Sequence, residues 1–232
     1  MIRMKNTLLA GMAALVAISV APAAQAIPQL RLSDGFTTIT VTDGGVGDID
    51  ANVGAIVFQG SIGVFNISVT TGITKPILGS PTEPVLDLNS IAVNGTGPGT
   101  LTISFSETDF VSAGPSVNFL TAVGGVTAGS VVFDYYASAS NANFATDLLV
   151  DTTGLLSGPF VDTALASEAL TGLYSMTTVA TIIHTANGQN SSFNANFETV
   201  SDTIEIPEAP LAPSLIAGAL LLAARTIRRR KA

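Results

Sequence analysis

The chain has 232 residues, with 17 acidic against 9 basic side chains, a single histidine and no cysteine. A net charge of −8 opposes binding to nucleic acid, because phosphate groups need basic partners. Without cysteine the chain has no disulfide and no thiol chemistry, and one histidine alone does not make a structural or catalytic zinc site.

The first 26 residues have the pattern of a signal peptide. Arg3 and Lys5 precede an apolar run over residues 7–20, and Ala24 and Ala26 form a small-x-small cleavage signature. We therefore predict a signal-peptide helix over residues 1–26, export through the Sec translocon, and cleavage after Ala26. The alternative is an N-terminal transmembrane anchor, which the short apolar core disfavours.

Residues 27–206 are predicted to form the exported domain. Only Arg31 and Lys75 oppose 16 acidic residues in this range, so its net charge is −14. A chain of 180 residues can bury a sizeable core without disulfides. The charge favours solubility or divalent cations, and it disfavours contact with nucleic acid or anionic lipid.

Short runs of alternating apolar and hydroxyl-bearing residues recur through this domain, separated by Gly, Asn and Pro clusters. Residues 101–105 show it most clearly, with Leu101, Ile103 and Phe105 on one face. We predict tight turns at Gly60-Ser61 and Asn94-Gly95, and a loop over residues 75–84, which contain three prolines.

The whole pattern predicts about ten or eleven strands and no long helix. Strands are expected near residues 36–42, 55–58, 62–69, 85–93, 101–105, 117–122, 130–137, 176–185 and 192–206. One or two helical turns are expected at residues 163–170. The predicted fold is all-β, an antiparallel β-sandwich or jelly roll, with an up-and-down barrel as the alternative.

An acidic, glycine-rich loop is the only metal candidate that we single out. Asp48, Asp50 and Asn52 place oxygen atoms at every second position, as in a calcium loop, and Asp43 precedes them. The sixth position lacks glycine and the twelfth lacks an acid, so an ordinary acidic turn is the favoured interpretation and calcium the alternative. No other cofactor is predicted.

No catalytic group is predicted. His184 lies alone at the end of a strand with no serine elbow nearby, so we expect it to be structural or solvated. Glu107 and Asp109 follow an apolar strand that we expect to stop near Ser106, leaving both solvated. Asn66, Asn94 and Asn190 each begin an Asn-x-Ser/Thr sequon, which fits surface loops.

The C-terminal 26 residues combine three features in a fixed order. Pro207, Glu208, Ala209 and Pro210 precede an apolar segment, and a basic cluster of Arg228, Arg229, Arg230 and Lys231 ends the chain. The apolar run continues to Ile227 if Arg225 directs its head group to the interface, which makes a marginal transmembrane helix over residues 211–227. The cations favour a cytoplasmic C-terminus.

This order of motif, short helix and basic cluster resembles the PEP-CTERM sorting signal. Pro207 and Glu208 match the first two motif positions; Ala209 departs from the usual second proline, and Pro210 supplies one a place later. The resemblance implies processing by an exosortase, a membrane enzyme of bacteria that make extracellular polysaccharide. A permanent single-span anchor and a chance composition are the alternatives.

The resemblance implies a three-part chain: a signal peptide (1–26), an extracellular domain (27–206) and a sorting signal (207–232). The chain would be held transiently in the inner membrane and then delivered to the cell surface or matrix, where a structural or adhesive role with polysaccharide is expected. The alternatives are a carbohydrate-binding module or, less favoured, a hydrolase, with a permanent anchor. The module is disfavoured because the chain has no tryptophan and only Tyr135, Tyr136 and Tyr174.

Overall fold

A computed structural model describes residues 26–200 and shows an all-β domain in that range. The described residues contain no helix able to span a membrane. Its strands, in chain order, are β1 (Gln29–Ser33), β2 (Thr38–Thr42), β3 (Ala55–Ile62), β4 (Phe65–Ile73), β5 (Val85–Gly95), β6 (Gly99–Ser112), β7 (Val117–Ser138), β8 (Leu148–Thr152), β9 (Leu156–Glu168), β10 (Gly172–His184) and β11 (Asn190–Val200).

All strand pairs are antiparallel and belong to one sheet, in the order β2-β1-β6-β10-β7-β11-β5-β4-β3. The strands at the two ends of this order, β2 and β3, contact each other, so the sheet nearly closes into a barrel. The all-β, antiparallel prediction is confirmed. Closure of this kind protects the backbone hydrogen-bonding groups of edge strands.

Strand β7 is the longest strand and joins two parts of the sheet. Its first half pairs with β11 and β9, its second half with β10 and β8, and its register to β9 shifts between Thr127 and Val131. Gly129 lies at this shift, where a side chain would overlap the Ile183 carbonyl oxygen. The missing Cβ therefore lets β7 and β10 approach each other where the strand changes partners.

One core fills the interior. The predicted inward face of residues 101–105 is confirmed, because Leu101, Ile103 and Phe105 have no exposed surface. The largest fully buried side chains are aromatic, and their rings make tilted or edge-to-face contacts with centroids 4.9–6.3 Å apart. The fully buried aromatics are Phe65, Phe105, Phe110, Phe119, Phe133, Tyr135, Tyr174 and Phe197.

Several local predictions are wrong. The hairpin between β3 and β4 turns at Gly63, which has a φ of 53°, and Gly60-Ser61 lies within β3. Residues 163–170, predicted as helical turns, lie mostly in β9, because this segment pairs along β7. Strand β1 was missed, and Phe36 lies outside β2, fully exposed.

The second turn prediction is also wrong: Asn94-Gly95 lies within β5, paired with β4, and the chain turns at residues 96–98 before β6. Two further predictions concern the ends of the chain. The signal-peptide helix, apart from Ala26, and the predicted transmembrane helix over 211–227 lie outside the described residues.

Candidate functional site

The most unusual group of side chains surrounds a buried carboxylate. Glu107 lies in β6 with no exposed surface, and Lys75 Nζ lies 2.9 Å from its Oε1. Thr74, just after β4, donates its hydroxyl hydrogen bond to Glu107 Oε2. Lys75 also donates to the Thr108 carbonyl oxygen at 2.7 Å, and its Nζ lies 3.9 Å from the centroid of the Phe110 ring. An opposite charge thus accompanies the buried carboxylate, as such burial requires.

The expectation that Glu107 is solvated is wrong, and β6 explains why. The strand continues to Ser112, past Asp109, which has a φ of 61° and sits where the pairing to β10 shifts register. Asn141 holds this bulge: its Oδ1 accepts from the Asp109 backbone N–H at 2.8 Å, and its Nδ2 donates to Asp109 Oδ1 at 2.6 Å. A bulge lets the strand continue while its side chains change direction.

Burial shifts the pKa values of both residues in the direction that favours their neutral forms. Desolvation raises the pKa of Glu107, and the Thr74 hydroxyl and the Lys75 ammonium oppose that change. Desolvation also lowers the pKa of Lys75, which the Glu107 charge opposes. The attraction between the two charges therefore opposes the cost of burying them.

A cavity of about 270 Å³ adjoins the pair. Lys75 and Glu107 line it together with Pro76, Pro81 and Ala26, the residue before the predicted signal cleavage. Glu107 Oε1 has no hydrogen bond besides its ion pair with Lys75. One carboxylate beside one ammonium could hold or exchange a proton, but glycoside hydrolysis needs a second, opposed carboxylate. Asp109 is instead bonded to Asn141.

The single histidine is buried in a hydroxyl cluster. His184 Nε2 lies 2.9 Å from Ser191 Oγ, which lies 2.7 Å from Thr127 Oγ1. All three side chains are at least 97% buried, and the imidazole ring packs against Phe65. His184 Nδ1 has no hydrogen-bond partner, and burial lowers the pKa of the ring. Of the two expectations for His184, structural or solvated, the structure selects the structural one.

The predicted calcium residues instead bind the backbone of their own loop. Asp48 accepts hydrogen bonds from the N–H groups of Gly44, Asp50 and Val57. Asp43 accepts from the Gly54 N–H, and Asp50 Oδ1 accepts from both the backbone and the side chain of Asn52. Among residues 26–200, no three His, Cys, Asp or Glu side chains are grouped so as to hold a metal. The role of these carboxylates is therefore to order the loop by accepting hydrogen bonds from its backbone.

The tyrosines provide no aromatic platform in the described domain. Tyr135 and Tyr174 are buried, and burial raises the pKa of both hydroxyl groups. Tyr136 is partly exposed on the other face of β7, as the strand alternation predicts. A sugar ring could therefore stack on at most one of the three.

The asparagines of the three sequons, expected in surface loops, lie in strands and meet across the sheet. Asn94 in β5 lies opposite Asn66 in β4 and opposite Asn190 in β11. Asn190 Nδ2 donates to Asn94 Oδ1 at 2.9 Å. The pairing register brings these residues together from positions up to 124 apart, which no local motif encodes.

The predicted processing residues fall mostly outside the described range. Ala26 is described and lines the cavity beside Glu107, whereas Ala24 is not described. The sorting motif (Pro207, Glu208, Ala209, Pro210) and the basic residues (Arg225, Arg228, Arg229, Arg230, Lys231) also lie outside.

Comparison with known proteins identifies no family. No protein-family model and no curated protein sequence matches the chain. Among solved structures, the isomalto-dextranase of Arthrobacter globiformis T6, complexed with panose, is similar at 15% identity and a TM-score of 0.20. The match covers 62% of this chain and 21% of the dextranase chain, so it spans about a fifth of that enzyme.

Proposed function

We propose that this chain is an exported bacterial surface or matrix protein whose C-terminal signal is processed by an exosortase. One observation carries the proposal: Pro207 and Glu208 precede an apolar segment and a basic cluster in the order of a PEP-CTERM signal. The described strands, from Gln29 to Val200, include none of these residues.

We further infer that the domain is an all-β passenger with a structural or adhesive role and no catalysis of its own. The burial of its reactive groups supports this inference. Ser191 is 2% exposed beside His184, and Glu107 is enclosed with Lys75, so neither pair is presented to a large substrate. Nucleophilic and acid–base catalysis require such groups within reach of the substrate.

The processing proposal is tested in an exosortase-containing bacterium that expresses the full chain. Intact-mass measurement of the mature protein should give an N-terminus at Ile27 and a C-terminus that lacks Arg228–Lys231. A mature protein that retains those four residues would identify the tail as a permanent anchor.

Two glutamates offer a matched pair for the same experiment. Glu208→Ala alters the sorting motif, and Glu205→Ala removes the same group three residues earlier. We expect the first variant to accumulate as the unprocessed form and the second to mature normally. Equal processing of both variants would show that the exosortase does not require Glu208 to recognise the motif.

The proposed partner is extracellular polysaccharide, and electrophoresis tests it directly. The mature protein is run through native gels with and without polysaccharide purified from the producing strain. Retardation that increases with polysaccharide concentration is expected. Unchanged mobility would remove the adhesive part of the proposal without affecting the processing result.

A further inference from the structure

Strand β9 has one partner and one free edge. It pairs with β7 along nearly its whole length, and no other strand of residues 26–200 pairs with it. The Thr163 N–H points away from β7 and bonds to the carboxylate of the adjacent Asp162 at 2.9 Å. The Ala164 carbonyl oxygen faces the other way, 3.5 Å from Thr121 Oγ1 of β7. Thr163 and residues two apart from it therefore direct their backbone groups to the open edge.

The outer face beside this edge is apolar. Val161 is 80% exposed and Leu165 is 72% exposed, two residues on either side of Thr163. On β7, Leu120 lies opposite Leu165, and the half-exposed Val126 lies opposite Pro159. We call Leu120, Val126, Pro159, Val161 and Leu165 the β9 patch. Exposed β-branched and leucine side chains along a long edge strand favour pairing with another strand.

The rest of the chain is poorly suited to cover this edge. Val200 is the last described residue and ends β11, which lies on the far side of β7 from β9. A return to β9 would bring Pro207, Pro210 and Pro213 onto an edge where N–H donors are needed. The chain before Gln29 enters beside β6, and the strand order places β10 between β6 and β7.

We propose that β9 pairs with β9 of a second copy of this chain, antiparallel and centred on Thr163. A two-fold axis there places Val161 of each copy opposite Leu165 of the other, joining the two β9 patches. Thr163 then faces itself, and its N–H exchanges the Asp162 carboxylate for a backbone carbonyl. Pro159 falls opposite Ser167, so only one hydrogen bond of that pair is lost.

The charges of β9 are compatible with this pairing. The domain is strongly acidic, and like charges repel two copies. Strand β9 carries Asp162 and Glu168 among its 13 residues. In the proposed register each Asp162 lies opposite Ala164, which keeps the two carboxylates from facing each other directly.

Cysteine crosslinking tests the register, because the natural chain has no cysteine. Hydrogen-bonded antiparallel partners have Cα atoms about 5.5 Å apart, within the range of about 4.4–6.8 Å that a disulfide spans. Thr163→Cys should therefore give a covalent dimer when cells that express the full chain are treated with a mild oxidant. Ser157→Cys is the matched control on the same edge and face, since its two copies would lie about 40 Å apart.

The expected result is a reducible dimer for Thr163→Cys at a yield at least tenfold above that of Ser157→Cys. Equal yields, or monomer from both, would overturn the proposal. These outcomes do not depend on the C-terminal mass, so they separate this inference from the processing proposal.

A second pair of variants tests the contact without oxidation. Val161→Glu places a charge in the β9 patch, and Val46→Glu makes the same change at a loop position that is 99% exposed. Sedimentation of the purified mature protein should give a dimer dissociation constant for Val161→Glu that is at least tenfold higher than that for Val46→Glu. A dimer unaffected by Val161→Glu, with circular dichroism confirming folding, would contradict the pairing.

Discussion

The burial of Glu107 cannot be predicted from its neighbours in the sequence. Two acids after an apolar strand normally mark its end, yet here Glu107 is in the core with Lys75 as its partner, 32 residues earlier in the chain. The Asp109 bulge keeps the strand going, and the supporting Asn141 lies in a different loop. No two of Lys75, Glu107 and Asn141 are neighbours in the sequence.

The ion pair predicts a large effect when one partner is removed. Lys75→Met leaves a buried carboxylate without its countercharge, which should lower the free energy of unfolding by about 3–5 kcal/mol. Urea denaturation at pH 7 measures the change. Arg31→Met is the control: it removes the other cation of residues 27–200, whose guanidinium lies 4.1 Å from the Phe144 ring centroid, and should cost about 1 kcal/mol or less. Equal effects would mean that the Glu107 charge is not held by Lys75.

His184 predicts a dependence of stability on acid. Burial lowers the pKa of the folded ring below its ordinary 6.5, so the unfolded chain binds the proton more readily. The contribution of His184 to stability is therefore full above pH 6.5 and is lost as the pH falls through the lower, folded pKa. Urea midpoints measured between pH 7 and pH 5 should decrease for the natural chain.

His184→Gln serves as the control, since glutamine can still bond Ser191 but does not titrate in this range. Its midpoint should fall less over the same interval. Burial raises the pKa of Glu107 and of Asp87, which stabilises the fold toward acid, but both groups are present in both proteins. Parallel pH curves for the two proteins would contradict the assignment to His184.

Among the elements, β9 illustrates how pairing overrides local preference. Its sequence contains Ala, Leu, Ser and Glu at a spacing that suits a helical turn, and this pattern predicts one at residues 163–170. Beside β7 the segment instead forms a ladder of strand pairs from Val117 to Val131. Backbone groups of β7 would otherwise lack partners, so tertiary pairing decides the conformation.

Strand β4 passes the core with a glycine where a side chain would not fit. A Cβ at Gly72 would overlap the Phe105 ring, which is fully buried. Gly72→Ala should therefore destabilise the fold by about 1–3 kcal/mol through overpacking. Gly114→Ala is the comparison, because its nearest neighbour would be 3.8 Å away, and we expect a change within about 0.5 kcal/mol. Thermal denaturation of both variants measures the difference, and similar melting temperatures would show that Phe105 can move aside.

At the scale of the whole molecule, the excess of negative charge should limit stability. Sixteen acids and two cations in residues 27–206 repel one another more than they attract. Raising NaCl from about 10 mM to about 150 mM shortens the Debye length from about 30 Å to about 8 Å. We expect the melting temperature to rise by about 2–4 °C, which corresponds to about 1 kcal/mol in a protein of this size. A fall in melting temperature would mean that attractive pairs outweigh the repulsion.

The sequence by itself determined the class of the domain, because strand alternation and turn residues are local properties. It also placed Leu101, Ile103 and Phe105 on the inner face, and it supplied the processing hypothesis, which stays a prediction. The tertiary structure alone decided the partners: Lys75 with Glu107, His184 with Ser191, and the three sequon asparagines side by side. The reason is physical, since a sheet joins residues by register across strands that are distant in the chain, and no local pattern specifies that register.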